Sequence, residues 1–469
     1  MHKDIFTKQS TTLHRINRFA FMSKKQVFQS LTVLLICLSC GMAIYTLLFT
    51  PLNIDGGFYL YLSEFLSKNH GEIIVIGYTP VAISIWTLLF NLFPNLSYEP
   101  ALVLSVFVVL LNSFILTKIL IRLKKFENYQ VHFIFWLYTF LQFTMDGTSI
   151  ILEPLTMLFA LISVYLIIKK DCFSCIIAAG ALCSLSFMTK HYGAASLAVV
   201  IFIIFKFQSF KINSNFIFQT FLVLLSFLIA TAVLYVINVY FLFSQIISPE
   251  LIIRTTLNYG KLSILHSVFY FSKGLIQFIP LILIPIIFCR EKMKLKEMQI
   301  GLIGILAFLP AFYFKQYHHY YLLILPFTLM VFANTIFSAD NSKKEHLKLI
   351  ITVVIVVLTI ASNLRTMVLS EAISKKDQHE ISKEIALIIP KNSIVFIGNS
   401  NLQPYRFLNK LNGPLMAEYG LGFPDNYSDE IQSKMIINSD YLLFSEKYQS
   451  AQVKLIGIIN KSIYVYKNV

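Results

Sequence analysis

Four short stretches hold the side chains with which this chain could do chemistry, and each borders a long apolar run. The first, Pro51-Leu-Asn-Ile-Asp55-Gly-Gly-Phe-Tyr59-Leu-Tyr61, sets one carboxylate beside two glycines. Glycine lets a neighbouring backbone or ligand come close, and a carboxylate so placed is suited to take a proton as a general base. The plainer role for Asp55 is to cap the helix that follows. The second, Gly147-Thr-Ser-Ile-Ile-Leu-Glu153-Pro154, opens an apolar run with Glu153, and Asp146 lies close by. An acid at membrane depth is expensive and needs a partner or a function. Pro154 suits a first helical turn, so a helix-dipole role for Glu153 stays open.

The third stretch is Met188-Thr-Lys190-His191-Tyr192-Gly193. Lys190 and His191 suit a phosphate held at headgroup level, against the alternative of a lysine snorkelling to the interface. The fourth, Lys315-Gln-Tyr317-His318-His319-Tyr320-Tyr321, leads into an apolar run containing Pro326. Two adjacent histidines cannot both face one metal from a regular helix. The functional reading is therefore phosphate or sugar contact, against an aromatic belt at the interface. No phosphate-binding glycine loop, dinucleotide fingerprint, zinc helix or nucleophile elbow occurs in the sequence.

The elements that position these residues are set by composition. The 469 residues are 57% hydrophobic and only 13% charged, with a mean hydropathy of +0.70. Soluble domains carry about 25% charged residues, so an ordinary soluble protein, a disordered chain and a disulfide-rich module are all excluded. Apolar runs recur at Leu31–Phe49 and at 101–121, 131–147, 151–168, 174–189, 193–207, 216–243, 267–288, 299–313, 320–337 and 348–366. Most approach the roughly 20 residues that cross a hydrocarbon core. About eleven transmembrane helices are expected, in an α-helical polytopic membrane protein.

The net charge of +15 is arranged as short basic clusters between these runs. With the N-terminus inside, twenty basic residues fall on inside loops, while only Lys68, Lys190, Arg254, Lys261 and Lys315 lie outside before the tail. This is the positive-inside pattern. It puts all four chemical stretches and the C-terminus on the outer face. Residues 73–93, bracketed by Pro80 and Pro94, would invert every later loop if they crossed, so they are read as an interfacial helix. Phe58, Leu62, Phe65 and Leu66 likewise suggest that residues 58–68 lie along the bilayer surface. Cys172-x-x-Cys175 has no second ligand pair and reads as helix packing.

Beyond about residue 370 the composition turns polar. Ala372–Ile389 is an amphipathic helix stopped by Pro390, followed by β-prone runs at Ser393–Ile397, Tyr441–Phe444 and Val453–Tyr466. The expected organisation is a cytoplasmic segment 1–28, a transmembrane domain 29–368 with its first external loop at 50–100, and a small extracytoplasmic α/β domain at 369–469.

Taken in order, Asp55-Gly-Gly-Phe-Tyr59, the Pro80 stretch, Glu153-Pro154, Thr189-Lys190-His191 and Tyr320-Tyr321…Pro326 form a pattern. It resembles the GT-C superfamily of integral-membrane glycosyltransferases, nearest the protein O-mannosyltransferase and lipid A aminoarabinose transferase branch. The resemblance runs over essentially the whole chain. It implies that Asp55 stands at the reaction centre and Glu153 where a second acid, commonly Asp, is found. It also implies that Lys190 and Tyr320 lie near a lipid-phosphate donor, with His191, His319, Arg254 and Lys261 as further phosphate contacts. The family commonly has a second acid directly after the first, whereas Gly56 follows Asp55 here.

The implied reaction moves a sugar from a polyprenyl-phosphate donor to an acceptor hydroxyl of a glycan, lipid or protein. It takes place outside the cell (inner) membrane, with a divalent metal as a candidate cofactor and no nucleic-acid partner. The rival classes are a flippase for lipid-linked oligosaccharides, a surface-polysaccharide polymerase or ligase, and a non-catalytic scaffold.

Overall fold

The computed structural model describes residues 23–68, 74–76, 81–93, 97–124, 126–147, 149–169, 173–238, 245–247, 281, 296–311, 318–337, 345–369, 374–391, 393–413 and 429–468. Helix α1 (Lys24–Phe49) opens with a capping box in which Ser23 and Gln26 satisfy each other's backbone. Next come α2 (Ile54–Lys68), β1 (Ile74–Ile76) and α3 (Val81–Leu92). A run of antiparallel helices follows: α4 (Glu99–Leu123), α5 (Asn128–Thr144), α6 (Glu153–Lys169), α7 (Phe173–Thr189), α8 (Ala195–Phe207) and α9 (Ser214–Val236). Strand β2 (Gln245–Ile247) pairs in parallel with β1. Helices α10 (Lys296–Phe308), α11 (Tyr321–Ile336) and α12 (Glu345–Leu369) complete the bundle.

Helix α11 is the hub. Every one of its residues is buried, as expected of a helix apolar on all sides. Around it, one continuous core joins residues of α1 and α4 to α12, α9 entering it through Val223. By contrast, α9 turns Ile217, Phe218, Phe221, Leu228 and Ile229 outward. An exposed apolar surface of this kind suits lipid rather than water.

Four helical segments are long and apolar enough to cross a membrane: Lys24–Phe49, Glu99–Leu123, Ser214–Val236 and Leu347–Arg365. The other predicted runs also coincide with helices, shorter ones, except 267–288, which lies outside the described residues apart from Leu281. The expected count of eleven crossings thus stays an expectation from hydropathy. Residues 73–93 do not form one helix. They hold β1 and the 12-residue α3, and α3 is about 18 Å long, well short of a hydrocarbon core of about 30 Å.

The C-terminal residues form an α/β unit. Helix α13 (Lys375–Ile388) is capped by Ser374, whose hydroxyl accepts from the Asp377 amide. Strand β3 (Val395–Ile397), helices α14 (Gln403–Leu408) and α15 (Asp429–Ile437), and strands β4 (Tyr441–Phe444), β5 (Val453–Ile459) and β6 (Ile463–Asn468) follow. The sheet order is β3-β4-β6-β5, with β3 and β4 parallel and the other pairs antiparallel. The apolar run 453–466 is therefore a hairpin rather than one strand. It turns at Asn460 and Lys461, both at positive φ.

Candidate functional site

Chain direction explains why distant motifs meet. Helix α6 leaves one end of the bundle at Glu153, and α7 returns to that end at Thr189. Ser186 Oγ donates to the Thr156 carbonyl at 2.9 Å and ties the two helices together there. Lys190, in extended backbone just past α7, then forms an ion pair with Glu153 Oε1. A 3₁₀ turn at His318–Tyr320 begins α11 at the same end, and His319 Nε2 lies 3.7 Å from the same carboxylate oxygen. Glu153 is 1% exposed. Its Oε2 is buried and has no hydrogen-bond partner among the described residues.

Aromatic rings enclose the pair. The Lys190 ammonium sits 4.6 Å from the centre of the Tyr320 ring, a cation–π arrangement. Tyr320 meets Tyr192 edge-on at 5.5 Å, and the two hydroxyls share a hydrogen bond. Tyr59 of α2 lies close enough to act electrostatically on Tyr320. Burial pushes the His191 imidazole down to about 4, and its Nε2 is buried without a hydrogen-bond partner among the described residues. His191 is consequently neutral near pH 7. A neutral imidazole still carries one N–H donor, so the expected phosphate contact stays an expectation, without a charge.

Helix α2 reaches the cluster through its first turn. Asn53 Oδ1 accepts from the Gly56 amide at 2.7 Å, and Asn53 Nδ2 donates to the Ser149 carbonyl at 2.9 Å. Asn53 is therefore the N-cap, and it staples α2 to the turn that precedes Glu153. That turn holds Asp146 at φ 61° and Ile150 at φ 33°. A buried β-branched residue in left-handed backbone is strained. Ile150 stays there against Gly56, where an added Cβ would stand 3.1 Å from the Ile150 Cβ.

These contacts remove the plain cap reading of Asp55, because Asn53 does that work. They leave Asp55 half-buried in the first turn of α2, four residues before Tyr59 and on the same face. The picture of α2 lying along the bilayer surface is also corrected. Residues 56–64 are all buried, because α3 and the C-terminal unit cover the sides that a surface helix would expose.

The structure thus gathers Glu153, Lys190, His319 and Tyr320, with Tyr192 and Tyr59, and brings the Asp55 helix against them. Arg254 and Lys261 lie outside the described residues. Tyr59 and Asn53 were not singled out from sequence. Their signals were the four-residue step from Asp55 and the Asn three positions ahead of Gly56. For a metal, no group of three His, Cys, Asp or Glu side chains gathers among the described residues. The Lys190 ammonium also occupies one oxygen of the buried Glu153 carboxylate. The described residues therefore do not form a metal centre.

At the opposite end of the bundle Arg122 donates to the Lys169 carbonyl at 3.2 Å, Lys24 to the Ile336 carbonyl at 3.3 Å, and Lys206 to Gln299. These lysines and arginines belong to the loops that charge counting places inside.

No family model matches the chain, and no curated protein matches it. Among solved structures, the chain is similar to the oligosaccharyltransferase of Archaeoglobus fulgidus, crystallised with zinc and sulfate. Identity is 11% over 88% of this chain and 67% of that one, with a TM-score of 0.44.

Proposed function

We propose that this chain is a membrane glycosyltransferase that moves a sugar from a polyprenyl-phosphate donor to an acceptor hydroxyl at the outer membrane face. One observation carries the reading. Lys190 and His319 meet on the buried Glu153 carboxylate, walled by Tyr192 and Tyr320, and the cluster faces Tyr59 of the helix whose first turn bears Asp55. A lone helix dipole or an interface belt needs none of these to converge.

Each residue then has a task. Asp55 takes the proton from the acceptor hydroxyl as its oxygen attacks the anomeric carbon. The bond from that carbon to the phosphate oxygen breaks, and polyprenyl phosphate leaves with the electron pair. Lys190 stabilises the charge that develops on the phosphate oxygens. Glu153 has one oxygen occupied by Lys190 and lies near His319, so it orients the ammonium rather than serving as a second base. Tyr320 and Tyr192 give the site apolar, hydrogen-bonding walls of the kind that flank sugar rings.

The test is to incubate purified protein in lipid nanodiscs with a panel of radiolabelled polyprenyl-phosphate sugars and cell-envelope acceptors. Transfer from one donor, lost in Asp55→Asn, is the expected result. Folded protein that transfers from none of them overturns the proposal. Movement of labelled lipid across a vesicle without transfer would favour the flippase class instead.

A further inference from the structure

The C-terminal unit grips α2 along a single stripe. At about 100° per residue, Gly57, Tyr61 and Glu64 share one face, and Asp55 and Tyr59 lie roughly opposite. Three contacts from the C-terminal unit fall on the first stripe. An added Cβ on Gly57 would stand 2.7 Å from the Pro404 Cα, so only glycine allows α14 to seat. The Tyr61 hydroxyl accepts from the Gly413 amide at 2.9 Å, and the Arg406 guanidinium lies 5.1 Å over its ring. Glu64, itself buried, pairs with Lys410 at 2.7 Å.

Just ahead of the helix, Gln378 of α13 satisfies both backbone groups of Leu52. Its Oε1 accepts from the amide and its Nε2 donates to the carbonyl, each at 2.9 Å. These two bonds are buried and span more than three hundred residues of chain. Leu52 precedes the Asn53 cap and stands three residues from Asp55.

We infer that the C-terminal α/β unit is a positioning clamp for the reaction centre. It holds α2 from behind, so that the opposite face keeps Asp55 and Tyr59 against the Lys190–Tyr320 cluster. Gln378, Lys410 and the Gly57–Pro404 contact are its positioning elements. An independently moving appendage would have no use for a glycine-only seat or for two buried bonds to one peptide unit. The clamp deepens the glycosyltransferase reading and rests on it for the role of Asp55, whereas the docking itself does not.

Hydrogen exchange on the full chain in nanodiscs tests the clamp without any substrate. Gly57→Ala and Gln378→Leu should each speed exchange about tenfold in peptides covering 52–66, with α4 to α8 unchanged. Glu64→Lys should do the same, and adding Lys410→Glu should restore protection, which keeps a test in hand if Gly57→Ala fails to fold. In the transfer assay, with rates normalised to the concentration of folded protein so that a lower folded fraction does not count, the same variants should lower kcat at unchanged donor KM. Unchanged exchange at 52–66 in Gly57→Ala and Gln378→Leu overturns the clamp. Absent transfer by the wild type overturns the glycosyltransferase reading and leaves the exchange result standing.

Discussion

Lys190 and Glu153, 37 positions apart, meet at one end of an antiparallel helix pair, with the carboxylate 1% exposed and the ammonium over the Tyr320 ring. A charge pair this enclosed depends on both members, because removing one leaves the other buried without compensation. Loss of a single partner from a buried pair costs about 3–5 kcal/mol. Glu153→Gln and Lys190→Met should each lower the unfolding midpoint in lipid–detergent micelles. The double variant should recover a large part of the loss. Additive losses would show that the two charges do not act as a pair.

Lys190 is also the proposed phosphate contact, which sets a second expectation. Lys190→Ala loses a charge-assisted hydrogen bond of about 1.5–3 kcal/mol to the donor. Donor affinity should fall at least several-fold, read by titration with a polyprenyl phosphate on folded protein. Unchanged affinity would confine Lys190 to its structural pairing with Glu153.

Asp55 and Asn53 separate chemistry from capping. Asp55→Asn keeps size and hydrogen bonding but cannot take a proton, so turnover should drop by about 10²–10⁴ with little change in stability. Asn53→Ala removes the cap on Gly56 and should cost about 1 kcal/mol of stability. Measuring sugar transfer and thermal unfolding on both proteins distinguishes the roles. Near-normal turnover in Asp55→Asn would take Asp55 out of the mechanism.

His191 predicts a specific acid sensitivity. Its folded pKa is about 4 because burial disfavours the charged ring, against about 6.5 when unfolded. Between these values the unfolded chain binds a proton that the folded chain does not, so stability falls as pH drops through 6.5 toward 4. His191→Gln should flatten that part of the stability–pH curve. A curve of the same slope in the variant would show that another group is responsible.

Membrane sidedness can be read by cysteine labelling. In a chain freed of its six native cysteines, a cysteine at Lys461 should react with an impermeant reagent on intact spheroplasts, and one at Lys25 should not. Both positions are exposed. The reverse pattern would invert the charge-based topology and place the site on the inner face.

The apolar runs were sufficient to locate the bundle helices, because a helix's tendency to leave water depends on its own composition and length. The same local logic gave Ala372–Ile389, Ser393–Ile397 and Tyr441–Phe444, which fold as α13, β3 and β4 with ends shifted by up to three residues, because Pro390 and β-branched residues act over a few positions. It also singled out Asp55, Glu153, Lys190, His319 and Tyr320, since charge or ring clusters at the edge of apolar runs stand out without any fold. Which surfaces become covered was beyond it. That residues 56–64 of α2 are buried depends in part on Pro404 and Lys410, and that Leu52 ahead of it is held depends on Gln378, all more than three hundred residues away. That Asn53 rather than Asp55 caps the helix depends on a turn whose carbonyl at Ser149 comes from another segment. That Lys190 meets a carboxylate, and that His191 loses its charge, depends on the return of α7 beside α6. Burial and pairing are properties of two surfaces brought together, and only the tertiary structure supplies the second surface.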